Sequence, residues 1–312
     1  MNAYPGRDRP EPAHLSHTIR MTCEIRAALR TMTRESPDFP VALLSIPSPP
    51  RVLTRAGAPP GPSPAVAVVG SRRASAAGLR SASRLGRELS EGGWTVVSGL
   101  ARGVDRAALE GALRGGGQPI AVLGNGLPGV YPAENLALAC RIIRAGGTLL
   151  SELPVGAPPR RHHFPRRNRL ITALSVGLVV VEATERSGSL TSARWALEQG
   201  REVCAFPGPA DGPSHRGCHQ LIRDGAHLVT EAREVVDVLK GRCSASVQVP
   251  EPLRTAFLAG ERDPERLQGL SGLPTPRFLE AWRQLLEAAP DDRPGVSYSS
   301  DEGPRPESGE RP

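Results

Sequence analysis

Between Ala65 and Lys240, short apolar runs alternate with helical patterns, and no other feature of the chain narrows its fold so far. The runs are AVAVVG, TVVSG, PIAVLG, TLLSE, GLVVVEA and EVCAFPG. Between them lie LRSASRLGRELSEGG, VDRAALEGALRGGG, LALACRIIRAGG, an arginine-rich segment and LTSARWALEQG. Strands apolar on both faces, separated by amphipathic helices that close on glycine, are what a parallel sheet covered on both sides requires. The expected fold is a doubly wound α/β domain over residues 65–242 with a mainly parallel sheet.

The flanks break this rhythm. Residues 1–38 are polar and proline-rich, with one short helical pattern from Cys23 to Met32, and read as a flexible N-terminal segment. Residues 39–64 form a lead-in whose prolines at 47, 49, 50, 59 and 60 exclude long regular elements, so the folded body is expected to begin after it. Beyond a Gly-Arg-Ser stretch near 241–246, residues 250–290 read as a small helical domain of three short helices, and 291–312 as a disordered tail. The turn SGLPTP before RFLEAWRQLLEAA suggests a helix-turn-helix, or else a plain helical appendage. Its candidate recognition helix, 276–288, offers only Arg277 and Arg283 as cations.

A net charge of +7 over 312 residues favours an anionic partner such as nucleic acid. Lys240 is the only lysine, so where the arginines sit is more informative than how many there are. Five cysteines, odd in number and without a CxxC pair, argue against a disulfide framework or a structural zinc. Apolar runs stay well short of the ~20 residues of a membrane span, and the polar N-terminus has no signal-peptide pattern; the cytoplasm is the expected compartment, with no membrane partner.

The segment Pro158–Ser175, PPRRHHFPRRNRLITALS, puts five arginines and two histidines around Phe164-Pro165 with no acid among them. Arg166, Arg167 and Arg169 open the apolar helical pattern Leu170, Ile171, Leu174. A helix N-terminus disfavours cations by roughly 0.3–1 kcal/mol each, so a phosphate-bearing partner is the simplest compensation.

The strand ends add to this. Gly70, Ser71 and Arg72 follow the first run at the carboxyl edge, where open α/β sheets bind ligands. The stretch is not GxGxxG, and the next strand ends in Ser98-Gly99 where a dinucleotide fold carries an acid, which excludes a nicotinamide dehydrogenase. In SGLARGVDRAAL, Gly103 precedes Asp105, a carboxylate suited to cap backbone N–H groups; as a catalytic acid it has no paired histidine or second acid nearby. The loop LGNGLPGVYP brings Gly124, Gly126 and Tyr131 to the same edge. Ser187, Gly188 and Ser189 open a further helix with hydroxyls and N–H groups suited to an anion. Glu152, Glu182, His162, His163, Cys218 and His219 form no catalytic set and no metal spacing.

Taken in order, VAVVGSR, VVSGLARGVDRAAL, IAVLGNGLPGVYP, LLSELPVGAPP, FPRRNRLITALS, VVVEATERSGSLTSARWALEQGREV and AFPGP resemble the DNA-processing protein A family (DprA, also called Smf) over residues 39–240. The resemblance implies a Rossmann-like domain with a winged-helix-like C-terminal domain. It further implies a cytoplasmic homodimer that binds single-stranded DNA and assists loading of the RecA recombinase in natural transformation, competence and recombination, without substrate turnover, cofactor or metal. By similarity, Arg72, Arg161, Phe164, Arg166, Arg167, Asn168 and Arg169 would line the DNA site, arginines on phosphates and Phe164 stacked on a base. Leu109 stands where the family usually has a histidine, His219 near a usual asparagine, and ITALS replaces IAGLS; none of these removes a candidate phosphate-binding arginine. Two rivals remain. A nucleotide-processing hydrolase of the lysine-decarboxylase-like group would need a PGGxGTxxE signature, whose place SGSLTSARWALE takes, and a duplex-DNA regulator would act through the C-terminal helices.

Overall fold

The computed structural model describes residues 21–61, 63–243, 250–261 and 263–273, with residues 278, 281, 282 and 285. The chain divides into two compact units, Met1–Val247 and Gln248–Pro312.

The first unit is a nine-stranded sheet in the order β1-β2-β6-β5-β4-β3-β7-β8-β9. Its strands are β1 (Leu29–Thr33), β2 (Val52–Gly57), β3 (Ala65–Val69), β4 (Thr95–Ser98), β5 (Ile120–Val122), β6 (Thr148–Ser151), β7 (Gly177–Val180), β8 (Glu202–Ala205) and β9 (His227–Leu228). From β6 to β9 every pairing is parallel, as in Val68↔Val179 between β3 and β7. The run β5-β4-β3-β7-β8-β9 is the doubly wound, Rossmann-like order 3-2-1-4-5-6, so the switch point lies between the carboxyl ends of β3 and β7.

The helices are α1 (described over residues 21–27), α2 (Ala76–Glu91), α3 (Val104–Arg114), α4 (Leu136–Arg144), α5 (His163–Ala173), α6 (Ser189–Glu198), α7 (Arg216–Arg223) and α8 (Ala232–Cys243). Alternate residues of each strand feed two cores, as the pleat dictates. Val66 and Val68 meet Ala82, Leu85 and Leu89 of α2, Ala108 of α3 and Leu138 of α4. Ala67 and Val69 meet Leu170 and Ile171 of α5, Ala193 of α6 and Cys218 of α7. The α2–α3 crossing needs glycine on both sides. A Cβ on Gly86 would run into the Ala108 carbonyl, and one on Gly111 into that of Ser83.

Two expectations about the N-terminal flank are corrected. Of the segment read as flexible, residues 1–20 lie outside the described residues, but α1 buries Met21 and Ile25, and β1 pairs antiparallel with β2. The lead-in is part of the folded body: Phe39, Leu43, Ile46 and Leu53 are buried in the second core, and β2 pairs antiparallel with β6. Its prolines flank β2, which is why they do not prevent it.

In the second unit α9 (Glu251–Leu258) and α10 (Pro264–Ser271) are followed by helical residues 278, 281, 282 and 285. Asp263 caps α10 by accepting from Glu265 N at 3.0 Å, and Trp282 packs edge-on against Phe257 and Phe278 at 6.1 and 5.4 Å. Among the described residues this unit has no strand. The expected turn begins at Gly272, left-handed at φ +60° after Ser271 ends α10, and its residues 274–276, like the tail 291–312, lie outside the described residues.

Candidate nucleic-acid interface

At the switch point lies a cleft of about 810 Å³ into which Gly70, Ser71 and Arg72, Asp105, Tyr131, Arg161 and Phe164 converge, together with Arg167, Asn168, Glu182 and Ser187 to Ser189. The Gly-Ser-Arg turn after β3 is clamped on both sides. Ser71 N donates to the Glu182 carbonyl at 2.7 Å, and Val104 N donates to the Ser71 carbonyl at 3.1 Å. A Cβ on Gly70 would sit 2.7 Å from Val104, and one on Gly103, whose φ is +72°, would strike the Ser71 carbonyl. Arg72 therefore projects from a fixed turn into solvent.

Its guanidinium lies 5.1 Å from the ring centroid of Phe164, in cation–π range. Phe164, in the first turn of α5, is backed by Gly124, where a Cβ would come within 2.6 Å of the ring, and meets Tyr131 at 5.6 Å with the planes tilted 47°. Tyr131 is 46% exposed. The sequence reading placed it on this edge without assigning it to the DNA site; the aromatic after a glycine-rich loop was the available signal. Arg161 is exposed on the same rim.

On the far wall, α6 starts at Gly188 without a side-chain cap. The Ser187 and Ser189 hydroxyls meet at 2.6 Å, and Asn168 Nδ2 donates to the Gly188 carbonyl at 3.4 Å. Ser187 already receives Ser189 N on its hydroxyl, at 3.3 Å, so this helix start offers mainly two hydroxyls and the dipole.

The floor has a different character. Arg167 is 4% exposed and donates from Nη1 to the carbonyls of Gly99, at 2.7 Å, and Val122. Asp105 beside it accepts from Gly99 N at 3.1 Å and Ala101 N at 3.4 Å. Burial lowers the Arg167 pKa to about 10, partly offset by Asp105, so it remains a cation at neutral pH. Burial likewise pushes the Asp105 carboxyl up against the pull of Arg167. Ser98 donates to the Val68 carbonyl at 2.6 Å beneath this knot, and a Cβ on Gly99 would collide with both Arg167 and Asp105. Glu182, 1% exposed, accepts from Ser75 N at 3.1 Å and Ser75 Oγ at 2.7 Å, and so fills the N-terminus of α2.

The five arginines expected to act together are divided. Arg166 and Arg169 line a separate pocket of about 510 Å³ with Arg34 and Arg51. There Glu152 pairs with buried Arg169 and lies 3.7 Å from Arg166. The His162 and His163 rings touch edge-on at 4.4 Å, and burial followed by His162 lowers the His163 pKa. His219 bonds the Gly208 backbone, and the buried Cys218 Sγ faces the Val180 carbonyl. Gly126 N donates to Ala157 O at 2.9 Å, where a Cβ would strike Pro154 O. Among the described residues no His/Cys/Asp/Glu group is arranged to hold a metal ion, and no helix is long and apolar enough to cross a membrane.

Residues 30–240 match the family model described as DNA recombination-mediator protein A. The chain is 50% identical to Protein Smf of Escherichia coli over 175 residues, which are 56% of this chain and 47% of that protein. It is 38% identical to DNA processing protein DprA of Bacillus subtilis over 226 residues, 72% of this chain and 75% of that one. Against Protein Smf of E. coli and of Synechocystis the chain spans about half of each protein's length, 47% and 52%. Among solved structures it is similar to DNA processing protein A from Streptococcus pneumoniae, with a TM-score of 0.63, 38% identity, and 73% of this chain and 77% of that one covered. It is also similar to DNA processing protein A from Helicobacter pylori, in a structure describing its single-stranded DNA binding mode. There the TM-score is 0.60 and the identity 28%, covering 69% of this chain and 96% of that one.

Proposed function

The chain belongs to the DNA recombination-mediator protein A family, and from that premise we propose that it binds single-stranded DNA in the switch-point cleft. The observation that supports this best is Arg72 held over Phe164 beside Tyr131, on a rim shared with Arg161 and the start of α6. Arg72 and Arg161 take backbone phosphates, the α6 hydroxyls take a third, and a base stacks on the Phe164–Tyr131 platform, worth about 1–3 kcal/mol. Arg167 and Asp105 hold the floor in shape without touching the strand. The family premise extends this to presenting the strand to RecA, as a cytoplasmic homodimer, in recombination and natural transformation.

A binding role without turnover is supported by the two acids in the cleft, since both Asp105 and Glu182 are committed to backbone N–H groups. The nucleotide-hydrolase reading is disfavoured by Glu182 as well. Where such folds seat a pyrophosphate on the first helix N-terminus, α2 already carries a carboxylate of its own.

Fluorescence anisotropy on a labelled single strand and its duplex, across a salt series, tests the proposal. Single-strand preference is expected, with a slope of about −0.7 per phosphate contact, and Arg72→Ala removes one such contact. Equal affinity for both strands, unchanged by Arg72→Ala, overturns it. If binding holds, RecA filament assembly on the strand with and without the protein tests mediation.

A further inference from the structure

A second, larger groove of about 1000 Å³ runs along the outer faces of α2 and α3. Arg80, Arg84 and Arg87 line it from α2. Arg102, from the loop before α3, with Arg106 and Arg114 of α3, lines it from the other side. All six are exposed. Positions 80, 84 and 87 fall on one helical face by the i, i+4, i+7 rule and extend about 10 Å along the axis. Glu110 and Glu134 are the only acids among the lining residues, against eight arginines.

The groove is continuous with the switch-point cleft, because Arg72 and Arg73 line both. Three of the guanidinium groups already have partners, Arg84 on the Thr230 carbonyl, Arg102 on Glu134 and Arg114 on the Ser83 hydroxyl, and the others are open or weakly held. Arg73 and Arg80 have no acidic partner among the described residues. Arg87–Glu91, at 3.6 Å, and Arg106–Glu110, at 2.9 Å, are exposed i,i+4 pairs, weak enough for a phosphate to displace. No aromatic side chain lines the groove, so it has nothing on which a base would stack.

We propose that the α2–α3 groove is a backbone track that carries a single strand onward from the cleft, holding phosphates without reading bases. This rests on the single-strand reading of the cleft and deepens it: the cleft grips a base and the groove lengthens the site. The close glycine crossing of Gly86 and Gly111 sets the two arginine rows side by side, which gives the track its width.

The test uses the full chain, the triple variant Arg80→Gln, Arg87→Gln, Arg106→Gln, and thymidine oligomers of about six and about twenty nucleotides, one filling the cleft and one long enough to leave it. The longer oligomer is expected to bind the variant roughly tenfold more weakly, with a salt slope shallower by roughly 2. The short oligomer and the melting temperature are expected to be unchanged. Equal affinity of variant and parent for the longer oligomer, while Arg72→Ala still weakens both, overturns the track and leaves the cleft standing. Weakened duplex binding alone also overturns it, assigning the groove to duplex. A parent protein that binds neither oligomer overturns the cleft reading and the track with it. Should the triple variant melt lower, Arg80→Gln alone carries the test, with a slope change of about 0.7 on the longer oligomer only.

Discussion

The floor of the switch-point cleft holds Arg167, 4% exposed, with Nη1 on two carbonyls and Asp105 beside it; the rim holds Arg72 and Arg161, both exposed, with Arg72 resting on an aromatic ring. One residue type serves as framework in the first place and as ligand contact in the second. Burial decides which. Arg167 is held by Nη1 on two backbone carbonyls with its Nε buried, and moving it would leave a buried carboxylate in low dielectric without its cationic neighbour. A guanidinium over a ring loses little when a phosphate arrives, since the cation–π contact constrains its position and leaves the N–H edge open.

The sharpest break between floor and rim is Arg167→Ala. Emptying the buried guanidinium site and leaving Asp105 with backbone N–H partners but no cationic neighbour is expected to cost about 3–5 kcal/mol, read as a lowered denaturation midpoint, with strand binding lost along with the fold. Arg167→Lys is not expected to rescue it, because one ammonium does not reproduce the guanidinium fork. A variant that melts normally yet fails to bind DNA would move Arg167 to the rim. Next comes Gly99→Ala, whose methyl meets both Arg167 and Asp105. Overpacking of this kind is expected to cost about 1–3 kcal/mol in chemical denaturation. An unchanged midpoint there would show that the floor yields.

How much of this was legible in the sequence follows from the same distinction. Strands β3 to β8 were readable because burial on both faces makes continuous apolar runs. β1 and β2 were not: LRTMT has one buried side chain, and VLTRAG hides Arg55 by pairing it with Asp38 at 2.7 Å. Antiparallel pairing, β2 onto β6 and β1 onto β2, supplies what their composition lacks. The anionic partner of Pro158–Ser175 could be argued from charge, but not the division of its arginines. On a helix, neighbours are separated by about 100°, so Arg167 points away from Arg166 and Arg169, which share a face at i,i+3, and which side meets the cleft depends on where β4 and β5 end. The pairing of Phe164 with Tyr131 was equally hidden, because one comes from the first turn of α5 and the other from the loop after β5, brought together by the order of β5 and β6.

On the rim, Phe164→Ala is expected to weaken single-strand binding by about 1–3 kcal/mol while leaving the melting temperature nearly unchanged, by titration and thermal unfolding on one preparation. A large loss of stability instead would place Phe164 in the framework, through its contact with Gly124.

The smallest expected effect, and the finest test of where floor gives way to rim, is the pH dependence at His163, next to Phe164 in α5. Burial, then His162, lowers its pKa from the ordinary 6.5, so in the window below 6.5 the unfolded chain binds more protons than the folded one. Stability is then fully present above 6.5 and is lost as the pH falls through the lowered folded value. His163→Gln is expected to flatten that segment of a stability-against-pH curve and leave the rest unmoved. A phosphate on the rim near Arg161 acts in the opposite sense, favouring the protonated imidazole. With DNA bound, the loss on acidification is therefore expected to shrink in the parent and to stay flat in the variant. A parent curve that is the same with and without DNA would place His163 out of reach of the strand and draw the boundary of the rim at Phe164.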